Sequence, residues 1–346
     1  MRKIIIAILC IAALSVPVSA LEYTAPKAPD VAQKYLQEET ESFADGLWYI
    51  IRQAIGDLQP EITDAARSSM ALIAVAILIS LIKSLAVNVY SIAELVGTIG
   101  VAGILIKPVN SYIGLGIETV RSLSEYGKML IPVMTSALAA QGGTTSAAAI
   151  YTATAVFDAV LSTGMVKIMI PMIYIFICLS FVNCAIPNNH ICNIRNFIKW
   201  LMTWTIKIAL YVFTGYITIT GVISGTVDAS AIKAAKIAIS GSVPVVGSIL
   251  SDASEAILVS AGIMKNAAGI YGILAMIALF LLPFLQISLQ HIFLKFTAAA
   301  CGVFGSKRCV ALIEDFSTVM GFLLAITGAI CLLHLVSTVC FMKGVA

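Results

Sequence analysis

From about residue 70 onward the chain is a succession of apolar runs, several near or above the roughly 20 residues a helix needs to cross a bilayer. Lipid offers no water to the backbone, so each run must satisfy its own N–H and C=O groups as a helix. Composition agrees: 60% hydrophobic and 11% charged residues is not a soluble globular chain. The expected fold is all-α and polytopic, with about six to eight transmembrane helices plus two hairpins broken by Pro and Gly. Spans are expected at residues 70–88, 91–106, 166–185, 201–224, 267–289 and 319–342. Residues 112–126 form a weaker amphipathic piece, and 292–304 either lie at the interface or extend a span.

The first hairpin pairs residues 129–140 with 146–161 around a Gln-Gly-Gly-Thr-Thr turn that contains Gly142 and Gly143. The second lies within 233–272, where Pro244 and several glycines interrupt an apolar stretch that also carries Asp252 and Glu255. Proline removes a helical hydrogen bond. Broken helices persist at membrane depth where protein or a wet cavity surrounds them. At one gapless offset of 112 residues Pro132 falls on Pro244, Pro171 on Pro283 and Arg121 on Lys233. An internal duplication in parallel orientation would produce this register; chance similarity of apolar segments is the competing reading.

Charge marks the main boundary. Residues 21–67 carry half of the 18 acidic residues and none of the eight cysteines. Ahead of them, Arg2 and Lys3, an apolar core over 4–16 and Val18-Ser19-Ala20 read as a signal peptide, with an uncleaved anchor as the alternative. The expected division is a signal peptide at 1–20, an extracytoplasmic acidic amphipathic helical segment at 21–67 and a multi-pass membrane domain at 68–346. Phe43, Leu47, Ile50, Ile51, Ala54, Ile55 and Leu58 recur at helical spacing. That helix either lies on the membrane, binds a partner or packs on its own membrane domain. The loop carrying Arg195 and Lys199 and the Lys307–Arg308 loop then fall on the cytoplasmic side, as the positive-inside rule prefers.

No constellation for catalysis is visible, and no cofactor or metal is implied. The three histidines, His190, His291 and His334, have no serine or cysteine arranged beside them for nucleophilic work. Cys184, His190 and Cys192 share a polar loop but lack a fourth zinc ligand. A net charge of +3 without a basic tract gives no reason to expect nucleic acid. Ionisable residues inside apolar runs are the functional candidates: Lys83, Glu94, Asp158, Lys167 and Lys207. Asp158 is the strongest, with Lys167 nine residues on as a partner, although Lys83 and Lys167 can also snorkel from span ends. Asp252-x-x-Glu255 reads as a helix-capping box or as part of a polar lumen. The candidate intramembrane polar and hairpin residues are therefore Asp158, Lys167, Pro132, Gly142, Gly143, Pro244, Gly247, Ser251, Asp252 and Glu255.

The segment from Ala235 to Ala253, with its Ser-Gly-x-x-Pro-Val-Val-Gly block and the Ser251-Asp252-Ala253 that follows, resembles the signature of the stage III sporulation protein AE family. The Leu130-Ile-Pro-Val-Met-Thr135 segment and Gly142-Gly143 agree with it. Where the family usually has a second glycine after Pro-Val-Val-Gly, this chain has Ser248. The resemblance implies a membrane component of the transenvelope channel between mother cell and forespore. Its partners would be the other stage III sporulation A operon proteins and stage II sporulation protein Q. It would sit in the mother-cell membrane around the forespore and serve late forespore gene expression. A stand-alone transporter or permease for a small solute is the alternative.

Overall fold

The computed structural model describes residues 26–36, 43–85, 90–140, 144–224, 267–304 and 307–343. Everything regular among them is helical. In chain order these are α1 (Asp30–Gln33), α2 (Phe43–Gly56), α3 (Gln59–Leu85), α4 (Tyr90–Ala140), α5 (Thr144–Asp158), a π-helical turn (Ala159–Gly164), α6 (Met165–Ala185), α7 (Asn189–Ser224), α8 (Ala267–Val303) and α9 (Lys307–Lys343). Six helical stretches among the described residues are long and apolar enough to cross a bilayer, in line with the expected polytopic class.

The bundle is organised around α9. Its most apolar window is 89% buried inside the protein, and it packs against α4, α5, α6, α7 and α8. A helix that is apolar on every side belongs in a core, and α9 has Leu323, Ile330, Leu332 and Leu333 all at or near zero exposure. The outer helices keep an apolar face toward their surroundings. Ile77, Leu78, Leu81 and Ile82 on α3 and Trp200, Trp204 and Ile208 on α7 are all exposed. Lys207 lies 5.8 Å from the Trp204 ring, the pairing of aromatic and cation typical of a membrane interface.

Three pieces that the sequence separates, 91–106, 112–126 and 129–140, form the single 51-residue helix α4. Fully helical, it is about 76 Å long, more than twice the hydrocarbon thickness. Pro108 and Pro132 both lie inside it and end nothing. The reason is a buried stripe that runs through both prolines: Ala102, Leu105, Val109, Ile113, Gly116, Val120, Leu123, Gly127, Leu130 and Met134, spaced by three or four throughout. Packing on α9 and α8 outweighs the two lost hydrogen bonds, as it often does in membrane helices. Similarly, 146–161 and 166–185 join through the π-turn into one continuous rod. The 292–304 segment extends α8.

The two arms of the first hairpin pair, while its turn at 141–143 lies outside the described residues. α4 and α5 pack against each other, and the pair Ser124 and Asp158, in contact at 3.1 Å, is equidistant from residue 141. The second hairpin, with Pro244, lies outside the described residues; of the proline pairs at the 112-residue offset, Pro171 and Pro283 both fall on described residues, each inside an apolar helix.

The amphipathic α2 packs on its own bundle: Ile50 and Ala54 are buried against α8, while Trp48 and Ile55 stay exposed. The residues before it strap across the end of the bundle where α4 and α8 present Tyr126 and Tyr271, which bond the Pro26 carbonyl and the Ala28 amide. Tyr35 donates to Asp57 at 2.6 Å, beside the Lys34–Asp57 pair. Burial first, then that carboxylate, pushes the Tyr35 phenol well above its ordinary pKa.

The opposite end is pinned by ion pairs. Arg195 of α7 meets Asp315 of α9 at 2.8 Å, and Arg308 of α9 meets Glu94 of α4 at 3.1 Å. Cys184 donates to the Arg308 carbonyl, and Cys192 lies beside Arg195 and Asn196. Breaking a buried pair from one side strands the other charge. Arg195→Met should therefore lower stability by roughly 3–5 kcal/mol, and Arg195→Met with Asp315→Leu should recover most of it. Thermal unfolding in detergent checks this; equal melting of the single variant and the parent protein would remove the pair from any stabilising role.

Candidate functional site

Asp158 closes α5 at the point where the helix widens into the π-turn. Such turns recur at functional sites because they re-aim side chains within an otherwise continuous helix. Thr154, Asp158, Leu161 and Ser162 all face inward. Ser162 is turned back on its own helix and donates to the Asp158 carbonyl at 2.5 Å.

The carboxylate of Asp158 is 3% exposed and has three kinds of partner. Ser124 of α4 donates to Oδ2 at 3.1 Å. Lys128, one turn further along α4, brings its ammonium to 3.9 Å from the same oxygen while most of its stem stays exposed. On the other side, Nε2 of the fully buried His334 on α9 lies 3.1 Å from Oδ1. Neither His334 nitrogen, nor Oδ1 itself, completes a well-aligned hydrogen bond among the described residues. The site therefore holds a buried carboxylate and imidazole in close approach with hydrogen-bonding capacity to spare.

Gly127 makes this approach possible. A Cβ on it would overlap the His334 ring, so only glycine lets α4 pass close enough for His334 to reach Asp158.

One turn away, a second polar chain crosses the bundle. Ser337 of α9 lies 2.6 Å from the Leu333 carbonyl and 2.8 Å from the Tyr216 hydroxyl of α7. Tyr216 in turn shares a hydrogen bond with Thr154 of α5 at 2.7 Å. Phe157 packs on the Tyr216 ring at 4.7 Å. Together the two layers form a buried polar column on the inward face of α9. It can hold or pass a proton, or act as a hydrogen-bonded clasp among α4, α5, α7 and α9.

Of the residues singled out in the sequence, Asp158 is in this column and Lys167 is not: Lys167 is exposed on α6, and the carboxylate's partners are Ser124, Lys128 and His334. Pro132 is exposed within α4. Gly142, Gly143, Pro244, Gly247, Ser251, Asp252 and Glu255 lie outside the described residues. Glu94 pairs with Arg308, and Lys207 stands at the aromatic belt. Sequence reasoning passed over His334, although the rule that selected Asp158 applies to any ionisable group inside an apolar run. Nothing in the sequence marks Ser124, Tyr216 or Ser337 as their partners.

The geometry makes a specific demand. Gly127→Ala should displace the His334 ring and cost about 1–3 kcal/mol, as overpacking does. In a His334→Ala background the same change should be close to neutral. Unfolding of the four proteins in detergent forms the cycle; additive losses would mean that Gly127 and His334 do not share this contact.

Comparison with known proteins now bears on identity. No solved structure matches the chain. A curated relative, stage III sporulation protein AE of Bacillus subtilis (strain 168), is 21% identical over 239 residues, covering 68% of this chain and 59% of that protein. The match thus spans less than two thirds of the relative's length. The profile of the family described as Stage III sporulation protein AE (spore_III_AE) matches residues 31–344. With nearly all of its length matched, the chain belongs to the stage III sporulation protein AE family.

Proposed function

We propose that the protein acts at stage III of sporulation as a membrane component of the transenvelope complex joining mother cell and forespore, where it supports late forespore gene expression. The observation that carries this reading is the family match over residues 31–344. Its partners are then the other stage III sporulation A operon proteins and stage II sporulation protein Q. Its place is the mother-cell membrane around the forespore, with residues 21–67 in the space between the two membranes. The ends of α4, α7 and α9 that are pinned by Arg195–Asp315 and Arg308–Glu94 would face the mother-cell cytoplasm.

The packing supports a subunit or platform over a self-contained pore. The bundle axis is occupied by α9, so a wide passage would have to form between chains rather than through this one. The second reading, a transporter for a small solute, draws on the buried Asp158–His334 approach, since paired ionisable groups at membrane depth mark ion and proton paths.

Two experiments separate and test these readings. A C-terminal tag on the protein in sporulating cells should co-purify the stage III sporulation A proteins and stage II sporulation protein Q. Recovery of the tagged protein alone, together with solute uptake by liposomes holding only this chain, would favour the transporter instead. For sidedness, Ser42→Cys should react with an impermeant maleimide in intact protoplasts; reaction only after lysis would reverse the assigned orientation.

A further inference from the structure

A polar cleft of about 440 Å³ lies between the first turns of α3, the middle of α4 and the middle of α8. It is separate from the Asp158–His334 column, and its volume is that of small-molecule sites. We infer that it binds a small zwitterion, a free amino acid or the charged end of a short peptide. The inference stands apart from the sporulation reading and needs no partner protein.

The walls carry both signs of charge on different helices. Glu61 and Asp64 belong to α3, and Lys107 to α4. Glu61 is held in place: Tyr112 donates to its Oε2 at 3.1 Å and Gln286 to its Oε1 at 3.2 Å. Each of these oxygens retains a lone pair, so the carboxylate can still accept from an ammonium. Asp64 has only a loose exposed pairing with Arg67 at 3.8 Å. Lys107 is exposed at the lip, and no ion pair holds it among the described residues.

Gln290 is the group that points to a ligand. Gln286 and Gln290 stand one turn apart on α8 and line the same cleft. Gln286 is spent on Glu61, whereas Gln290, only 3% exposed, makes no hydrogen bond to the described residues. Its amide is not among the fully enclosed groups, so the little exposure Gln290 keeps includes its polar atoms at the cleft, where a ligand can take the place of water. An ammonium near Glu61 and Asp64, with a carboxylate toward Lys107 and the Gln290 amide, satisfies both sides at once. A ligand with a single charge leaves the opposite wall unmatched.

The test uses the purified full-length protein in detergent and isothermal titration. The probes are L-alanine, L-alanyl-L-alanine, uncharged N-acetyl-L-alaninamide, acetate and ethylammonium. L-alanine or the dipeptide should bind with a dissociation constant at or below about 1 mM, and the other three at least about ten-fold more weakly. Preference for L-alanine identifies a free amino acid; preference for the dipeptide identifies a peptide end. Lys107→Met, a change at an exposed position, should weaken zwitterion binding at least about ten-fold with the melting temperature unchanged. Gln290→Leu should do the same where it folds. The proposal is overturned if neither zwitterion binds, if acetate or ethylammonium binds as tightly, or if Lys107→Met binds like the parent protein.

Discussion

The burial of α9 is the constraint on which the rest of the structure depends. A helix enclosed on all sides gains packing from every neighbour but little register, because apolar contacts slide and lipid supplies no hydrophobic drive between helices. Its few polar groups provide the register, each meeting a different helix. Arg308 meets α4 through Glu94, and Asp315 meets α7 through Arg195. Ser317 meets α8 through His291 at 3.1 Å. Deeper in, His334 approaches Asp158 of α5 and Ser337 meets Tyr216 of α7. An unpaired polar group in this interior is costly, so a slip of any neighbour along α9 strands at least one of them.

Much of this architecture was legible in the apolar runs, because length and hydrophobicity are one-dimensional properties. What stayed hidden was continuity. Prolines at 108 and 132 look like boundaries, yet the three-and-four spacing of buried residues passes through both. Reading that stripe before reading the prolines would have joined the pieces. The amphipathic 43–58 segment was recognisable as a helix, but only three dimensions settle its partner, and that partner is α8 of the same chain.

The site was half visible for a related reason. Asp158 stands out as a charge in an apolar run. Its partner was sought along the same helix, where nine residues correspond to about two and a half turns and the opposite face. Lys167 accordingly looks outward, while the carboxylate meets α4 and α9. Contacts between helices distant in sequence, 158 with 334 or 154 with 216 and 337, leave no local pattern to read. Gly127 is likewise indistinguishable in sequence from the other glycines of the chain, and only the ring pressed against it gives it a meaning.

The same arrangement constrains how such a protein can change shape. A polar column linking four helices through one buried carboxylate and one imidazole responds as a unit. Altering the charge on either group changes the attraction that draws α5 toward α9, and Thr154 and Ser337, one turn away on the same two helices, are joined through Tyr216 of α7. The ionic end holds the other extremity of the bundle. Tyr126, which bonds the strap, stands on α4 between Ser124 and Gly127, so the strap and the column meet that helix within one turn of each other. The six π-turn residues depart from regular helical hydrogen bonding at the same level, where Ser162 of the turn lies 3.4 Å from Ser124.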